Sequence, residues 1–195
     1  MIMSLKMFGK FTNNTGKTYK LSDIRPFKRE PSCKKPLYRR KALAKIIPAR
    51  ASDADFICQL SGKVFRIYGP YEDTIPLWFD SETTVTLIAR TERRPVGFAM
   101  IGCLSGEWNP GHVFELLAIG VEPERQRMGI GEMLIREIDR KANEMNIKRL
   151  FLHTAIENLS ARKLFLINGY RIQGIKGKFY PGGQDAVIMS KEIVK

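Results

Sequence analysis

Residues 114–135 read FELLAIGVEPERQRMGIGEMLI, and the order of residue types in that run decides what kind of fold the chain can make. Phe114, Leu116, Leu117, Ala118 and Ile119 form a nearly continuous apolar run, the pattern of a strand covered on both faces. Gly120 ends the run, and Pro123 cannot extend a ladder because it has no N–H to donate. Beyond the turn, Ile130, Met133, Leu134, Ile138, Ala142 and Met145 recur at helical spacing, which predicts a helix from Gly131 to about Asn146. Gln126, Arg127, Met128, Gly129, Ile130 and Gly131 therefore fall on a helix N-terminus. Unpaired amides and the positive end of the helix dipole favour an anion there. The glycines let a phosphate reach the backbone with no Cβ in the way.

Several phosphate ligands use a glycine-rich turn ahead of a helix, and spacing separates them. The dinucleotide fingerprint G-x-G-x-x-G needs glycine or alanine where Leu134 stands. A Walker loop fails as well: Gly16-Lys17-Thr18 copies its end, but Phe11 occupies the leading glycine position and no apolar strand precedes it. The remaining form, Gln-x-x-Gly-x-Gly after an apolar strand and a Pro-containing turn, resembles the coenzyme A pyrophosphate loop of the GNAT superfamily of acyl-CoA-dependent N-acyltransferases. A second stretch matches the same family. Asn158, Ala161, Leu164, Phe165, Gly169 and Tyr170 fall at the spacing of the GNAT helix pattern Asn-x-x-Ala-x-x-Leu-Tyr-x-x-x-Gly-Phe. The resemblance covers roughly residues 46–193.

The rest of the chain supplies the frame. Residues 43–47 read as a first strand, and Ser52 with Asp55 opens a helix near 53–64. Residues 71–79 form a short second helix whose regularity Pro76 limits. Strands over 83–89 and 96–104 pair as a hairpin, followed by a turn at 106–111 and the opening stretch. Then come a strand over 149–153, a helix over 159–168 capped by Asn158 and closed by Gly169, and strands over 170–175 and 186–193. This order is that of an α/β fold with a mixed sheet. The resemblance implies a mostly antiparallel central sheet flanked by helices.

Composition is that of a soluble domain, with 44% hydrophobic and 27% charged residues. No run approaches the ~18 apolar residues of a membrane span and the chain opens on no apolar leader, so a cytoplasmic protein is expected. Cys33, Cys58 and Cys103 are odd in number and widely spaced, which fits neither a disulfide framework nor, with only His112 and His153 beside them, a metal site. The formal net charge of +13 is concentrated: residues 1–50 hold 14 Lys and Arg against Asp23 and Glu30, which leaves the remainder at +1. Residues 1–40 thus read as a basic, flexible extension and residues 41–195 as the GNAT-like domain. The extension is either a solvated tail, a translated stretch ahead of the true start, or an arm with weak affinity for nucleic acid, a ribosome surface or anionic lipid.

The resemblance implies transfer of an acetyl group from acetyl-CoA to a primary amine by direct attack in a ternary complex. It places the pyrophosphate on the segment from Gln126 to Gly131, gives Leu117 and Ile119 main-chain contacts to pantetheine, and sets Asn158 and Phe165 against the cofactor. An ammonium cannot attack until a base takes its proton. Glu115 alternates away from Phe114 and Leu116 and so faces the cleft, although a strand glutamate in an ion pair has the same pattern. His153 stands where some protein N-terminal acetyltransferases carry histidine and ribosomal-protein (RimI-type) acetyltransferases carry glutamate; a buried core histidine is the other reading. Phe165 departs from the family, whose tyrosine protonates the leaving thiolate. Phe179 and Tyr180, with Pro181 and the run 184–189, resemble the Tyr-Tyr-Pro and Asp-Ala-x-x-Met ending of the RimI-type and N-terminal acetyltransferase branch. Together with Tyr71, they form the expected substrate-binding set, and Tyr68, Trp78 and Phe79 are close enough in sequence to shape the same pocket. The expected acceptor is a protein or peptide α-amine. A small-molecule or lysine amine, an acyl-CoA sensor with weak catalysis, and an RNA-associated protein using its arm stay open, as do monomer and homodimer.

Overall fold

Two periodicities build the domain, period two in its strands and 3.6 in its helices. Residues 10–12, 18–20, 44–103 and 114–193 are described by this computed structural model and contain nine strands and four α-helices. A short pair comes first, β1 (Lys10–Thr12) antiparallel to β2 (Thr18–Lys20). Runs of three residues are too short to register as periodicity, so sequence reading assigned no element there. The main domain follows as β3 (Lys45–Pro48), α1 (Ala54–Phe65), α2 (Tyr71–Phe79), β4 (Thr84–Arg90) and β5 (Pro95–Cys103). It continues as β6 (Phe114–Val121), α3 (Ile130–Glu144), β7 (Arg149–Ala155), α4 (Leu159–Ile167), β8 (Arg171–Lys176) and β9 (Ala186–Glu192). The turn expected at 106–111 lies outside the described residues. No helix among the described residues is long and apolar enough to cross a membrane.

The seven-stranded sheet has the order β3-β4-β5-β6-β7-β9-β8 and is antiparallel except where β6 meets β7. That parallel step requires a crossover, which α3 supplies. Alternation along β5 sorts the core into two layers. Phe98 and Met100 join Ile57 and Leu60 of α1 and Ile75 of α2 on one face. On the other, Ala99, Ile101 and Cys103 meet Ile130, Leu134, Ile135, Ile138 and Ala142 of α3 and Phe165 of α4. Each fully buried large side chain of these layers contributes about 1.5–3 kcal/mol.

Two local details depart from sequence expectation. The entry to α1 is organised by Asp53 rather than by Ser52 and Asp55: Asp53 Oδ2 accepts from the Arg50 N–H at 2.9 Å and Oδ1 pairs with the Arg90 guanidinium. Inside α2, Pro76 has no N–H for the Glu72 carbonyl, and that carbonyl instead accepts from the Cys58 thiol at 3.5 Å, which tethers α2 to α1.

Candidate active site

The cleft begins with a fault in the ladder. Met100 of β5 faces Ala118 of β6 and Ile101 faces Leu116, so Leu117 is an extra residue, a bulge that bends β6. The bulge reverses the alternation: Phe114 and Leu116 lie on the α3 face, Ala118 on the α1 face, and Ile119 and Val121 again on the α3 face. Pairing between β6 and β7 stops at Leu116 opposite Leu152, while β7 stays paired to β9 as far as Ala155. A cavity of about 360 Å3 fills the space where the two strands part. Leu117, Ala118 and Ile119 line one wall, His153, Thr154 and Ala155 the other, and Asn158, Ala161 and Phe165 of α4 the base.

Glu115 and His153 meet at the apex of that cleft. Glu115 sits opposite Phe151 across the parallel ladder, so His153, two residues farther on, presents its side chain on the same face. His153 Nδ1 lies 2.6 Å from Glu115 Oε1, with side chains 17% and 11% exposed. Phe179 lies flat on the imidazole, 4.2 Å between ring centroids and 9° between planes. On the Phe179 ring rests the Lys176 ammonium, 4.9 Å from its centroid.

A roof crosses the cleft above this pair. The Gly182 N–H donates to the Tyr68 carbonyl at 2.9 Å, and Gln184 Nε2 donates to the Ile67 carbonyl at 2.6 Å, joining the α1–α2 connection to the β8–β9 connection. Tyr180 packs 5.0 Å from Tyr68 and 6.4 Å from Tyr71. Burial pushes the Tyr180 hydroxyl well above the usual tyrosine range, with neighbouring Tyr71 adding to it. Burial also raises Tyr68, which a hydrogen bond with the Asn158 side chain partly offsets, and Tyr71. These phenols therefore stay protonated at neutral pH.

The glycine loop lies outside the cavity wall, at the N-terminus of α3. Gly129 takes φ +88°, and a Cβ there would meet nothing within 4 Å, so its open side is a bare stretch of backbone. The first helical bond runs from the Met133 N–H to the Gly129 carbonyl at 3.0 Å, and the amides before it have no intrahelical acceptor. Gly131 is glycine for packing: a Cβ there would stand 3.0 Å from Leu164 Cδ2. Of the other loop residues, Gln126 spends its amide on the Val121 carbonyl at 3.1 Å, Arg127 adopts φ +63°, Met128 lies between them and Gly129, and the Ile130 side chain is buried in the core. The side-chain carbonyl of Asn158 caps α4 through the Ala161 N–H at 3.0 Å, and the same side chain hydrogen-bonds Tyr68 at the cavity.

The structure thus brings Glu115, His153, Leu117, Ile119, Asn158, Phe165, Tyr71, Phe179 and Tyr180 to one cavity. Tyr68 and Trp78 join them, whereas Phe79 packs against the core layer under α1. Sequence reasoning missed Lys176 and Thr154. Lys176 carried a signal, a cation at a strand end three residues before the aromatic pair Phe179-Tyr180, but exposed strand ends are commonly charged.

The sequence model of the acetyltransferase (GNAT) family matches residues 54–170. The chain belongs to that family. An uncharacterised N-acetyltransferase of Methanocaldococcus jannaschii is 26% identical over 144 residues, 73% of this chain and 87% of the relative. A [ribosomal protein bS18]-alanine N-acetyltransferase of Salmonella typhimurium is 31% identical over 81 residues, 40% of this chain and about half of that relative, 55%. Among solved structures, a GNAT family acetyltransferase of Elizabethkingia anophelis with acetyl-CoA bound superposes with TM-score 0.62 at 21% identity, covering 78% of this chain and 99% of the other. This GNAT protein is an N-acetyltransferase and its acyl donor is acetyl-CoA. Its residues fit that donor: the bare backbone at Gly129 and the free amides at the start of α3 suit a diphosphate, and the unpaired edge of β6 from Leu117 to Ile119 suits an amide-bearing arm.

Proposed function

We propose that this GNAT protein acetylates the α-amine at the N-terminus of a protein or peptide, with Glu115 and His153 handling the acceptor's proton. The carrying observation is the 2.6 Å contact between those two side chains at the apex of the cleft, beneath an aromatic roof. When bound, acetyl-CoA supplies an acyl carbon already activated as a thioester. Everything else is asked of this chain's own residues. Glu115 holds His153 through Nδ1, which fixes the ring and leaves Nε2 to take a proton from the incoming ammonium. The carboxylate then stabilises the imidazolium so formed. Phe179 covers one face of the ring and keeps water from it. Tyr180 and Tyr68, protonated and facing the cavity, are donors for the first peptide carbonyls.

The roof supports a chain end over a side chain as acceptor. Its two hydrogen bonds close the groove above the pair, so the acceptor enters end-on. The similarity to a bS18-alanine N-acetyltransferase agrees with this reading. Thiol release from acetyl-CoA with free-N-terminal peptides, read beside N-terminally blocked peptides containing lysine, tests it. Acetylation of the free α-amine alone is the expected outcome, and faster acetylation of lysine in the blocked set overturns the reading.

A further inference from the structure

Lys176 ends β8 at the rim of the cavity, and nothing in the proton-handling scheme uses it. The ion pairs among the described residues leave it out: Glu115 is held by His153, Asp139 by Lys191 and Glu192 by Arg149. The nearby Asp185 carboxylate accepts from the Lys178 N–H at 2.8 Å, and Glu157 is exposed and close to Tyr68 and Tyr180. Lys178, two residues farther on, is a second exposed cation, outside the residues that line the cavity. The ammonium of Lys176 is instead held in place by the ring of Phe179. A cation seated on an aromatic face at a cavity rim, in no ion pair with a carboxylate among the described residues, is positioned to receive one from outside.

We infer that Lys176 selects acceptors carrying a carboxylate close to the amine, that is, polypeptides with Asp or Glu in the residues that follow the first. The inference rests on the α-amine reading. Distance supports it. The ammonium lies 4.9 Å from the Phe179 centroid, and that centroid lies 4.2 Å from the imidazole. Those two legs together cap its separation from the ring at the span of two to three extended residues, each ~3.3–3.6 Å. An amine at His153 therefore brings the second or third side chain within reach of Lys176. Peptide filling the cavity displaces water from around the ammonium and strengthens the pair beyond that of a fully solvated one.

The test compares kcat/KM for two peptides that begin with Ala and differ only in carrying Glu or Lys second, using the full chain and its Lys176→Gln and Lys176→Glu variants. The unaltered protein is expected to prefer Glu by about three- to tenfold. Lys176→Gln is expected to level that preference and Lys176→Glu to invert it. The preference shrinks as salt approaches about 1 M, where the screening length falls to ~3 Å. A thermal shift with acetyl-CoA certifies that each variant is folded. A ratio near one in the unaltered protein, or a ratio unchanged in Lys176→Glu, overturns the inference and leaves the α-amine reading standing. If neither peptide is acetylated although acetyl-CoA still shifts the melting temperature, the α-amine reading falls and takes the inference with it.

Discussion

The two ends of the cleft are built from different material. On the proposed donor side, the loop before α3 offers backbone: a glycine at φ +88° with open space around it and amides free of intrahelical partners. On the proposed acceptor side, the surface is almost wholly side chain, with Tyr68, Tyr71, His153, Lys176, Phe179 and Tyr180 contributed by separate segments. Backbone recognition suits a ligand shared by a whole family, because it depends on chain path and on where glycines stand. Side-chain recognition suits an acceptor that differs from one member to the next.

If that division is sound, variants at the two ends fail in different ways. The largest effect belongs to the proton-handling pair. Glu115→Gln and His153→Ala are each expected to lower kcat by about 10²–10⁴ with acetyl-CoA affinity retained. The double variant is expected to lose little more than either single, as groups acting as a unit do. A parallel loss of cofactor binding in isothermal titration would erase the division.

A smaller effect is expected at Gly129. Valine there must hold a positive φ, a strain of about 1–3 kcal/mol, and it places a side chain on the open face of the loop. KM for acetyl-CoA should rise about tenfold or more while KM for peptide holds; the reverse pattern would move the donor site elsewhere.

Phe165→Tyr carries the smallest expected change. Phe165 lines the cavity and packs edge-on against Tyr170, 5.6 Å between centroids. A hydroxyl added there should keep the melting temperature and leave kcat unchanged or raised. A large loss of kcat would mean that the leaving thiolate is not protonated near this position.

How much of this could be read beforehand follows from the same contrast. The strand, loop and helix of residues 114–135 were legible because a nearly continuous apolar run gives way to period 3.6 across glycines and a proline. The pairing of Glu115 with His153 was half legible, since alternation aims Glu115 but only the parallel ladder brings β7 beside it. The bulge at Leu117 was not legible, for a leucine in a bulge looks like any other leucine. Nor was the roof, whose Gln184–Ile67 bond joins residues 117 positions apart. Asp53 was passed over as the organiser of α1 for the same reason, as its partner Arg90 lies on a strand far along the chain.

The short parallel ladder has a mechanical consequence. Among the described residues, the ladder between β6 and β7 consists of three facing pairs, Phe114 with Leu150, Glu115 with Phe151 and Leu116 with Leu152. Glu115 is fixed by that ladder and His153 by its pairing to Ile188 of β9. The spacing of the proposed proton-handling pair therefore rests on paired backbone, while the strands beside it part to make room for a ligand.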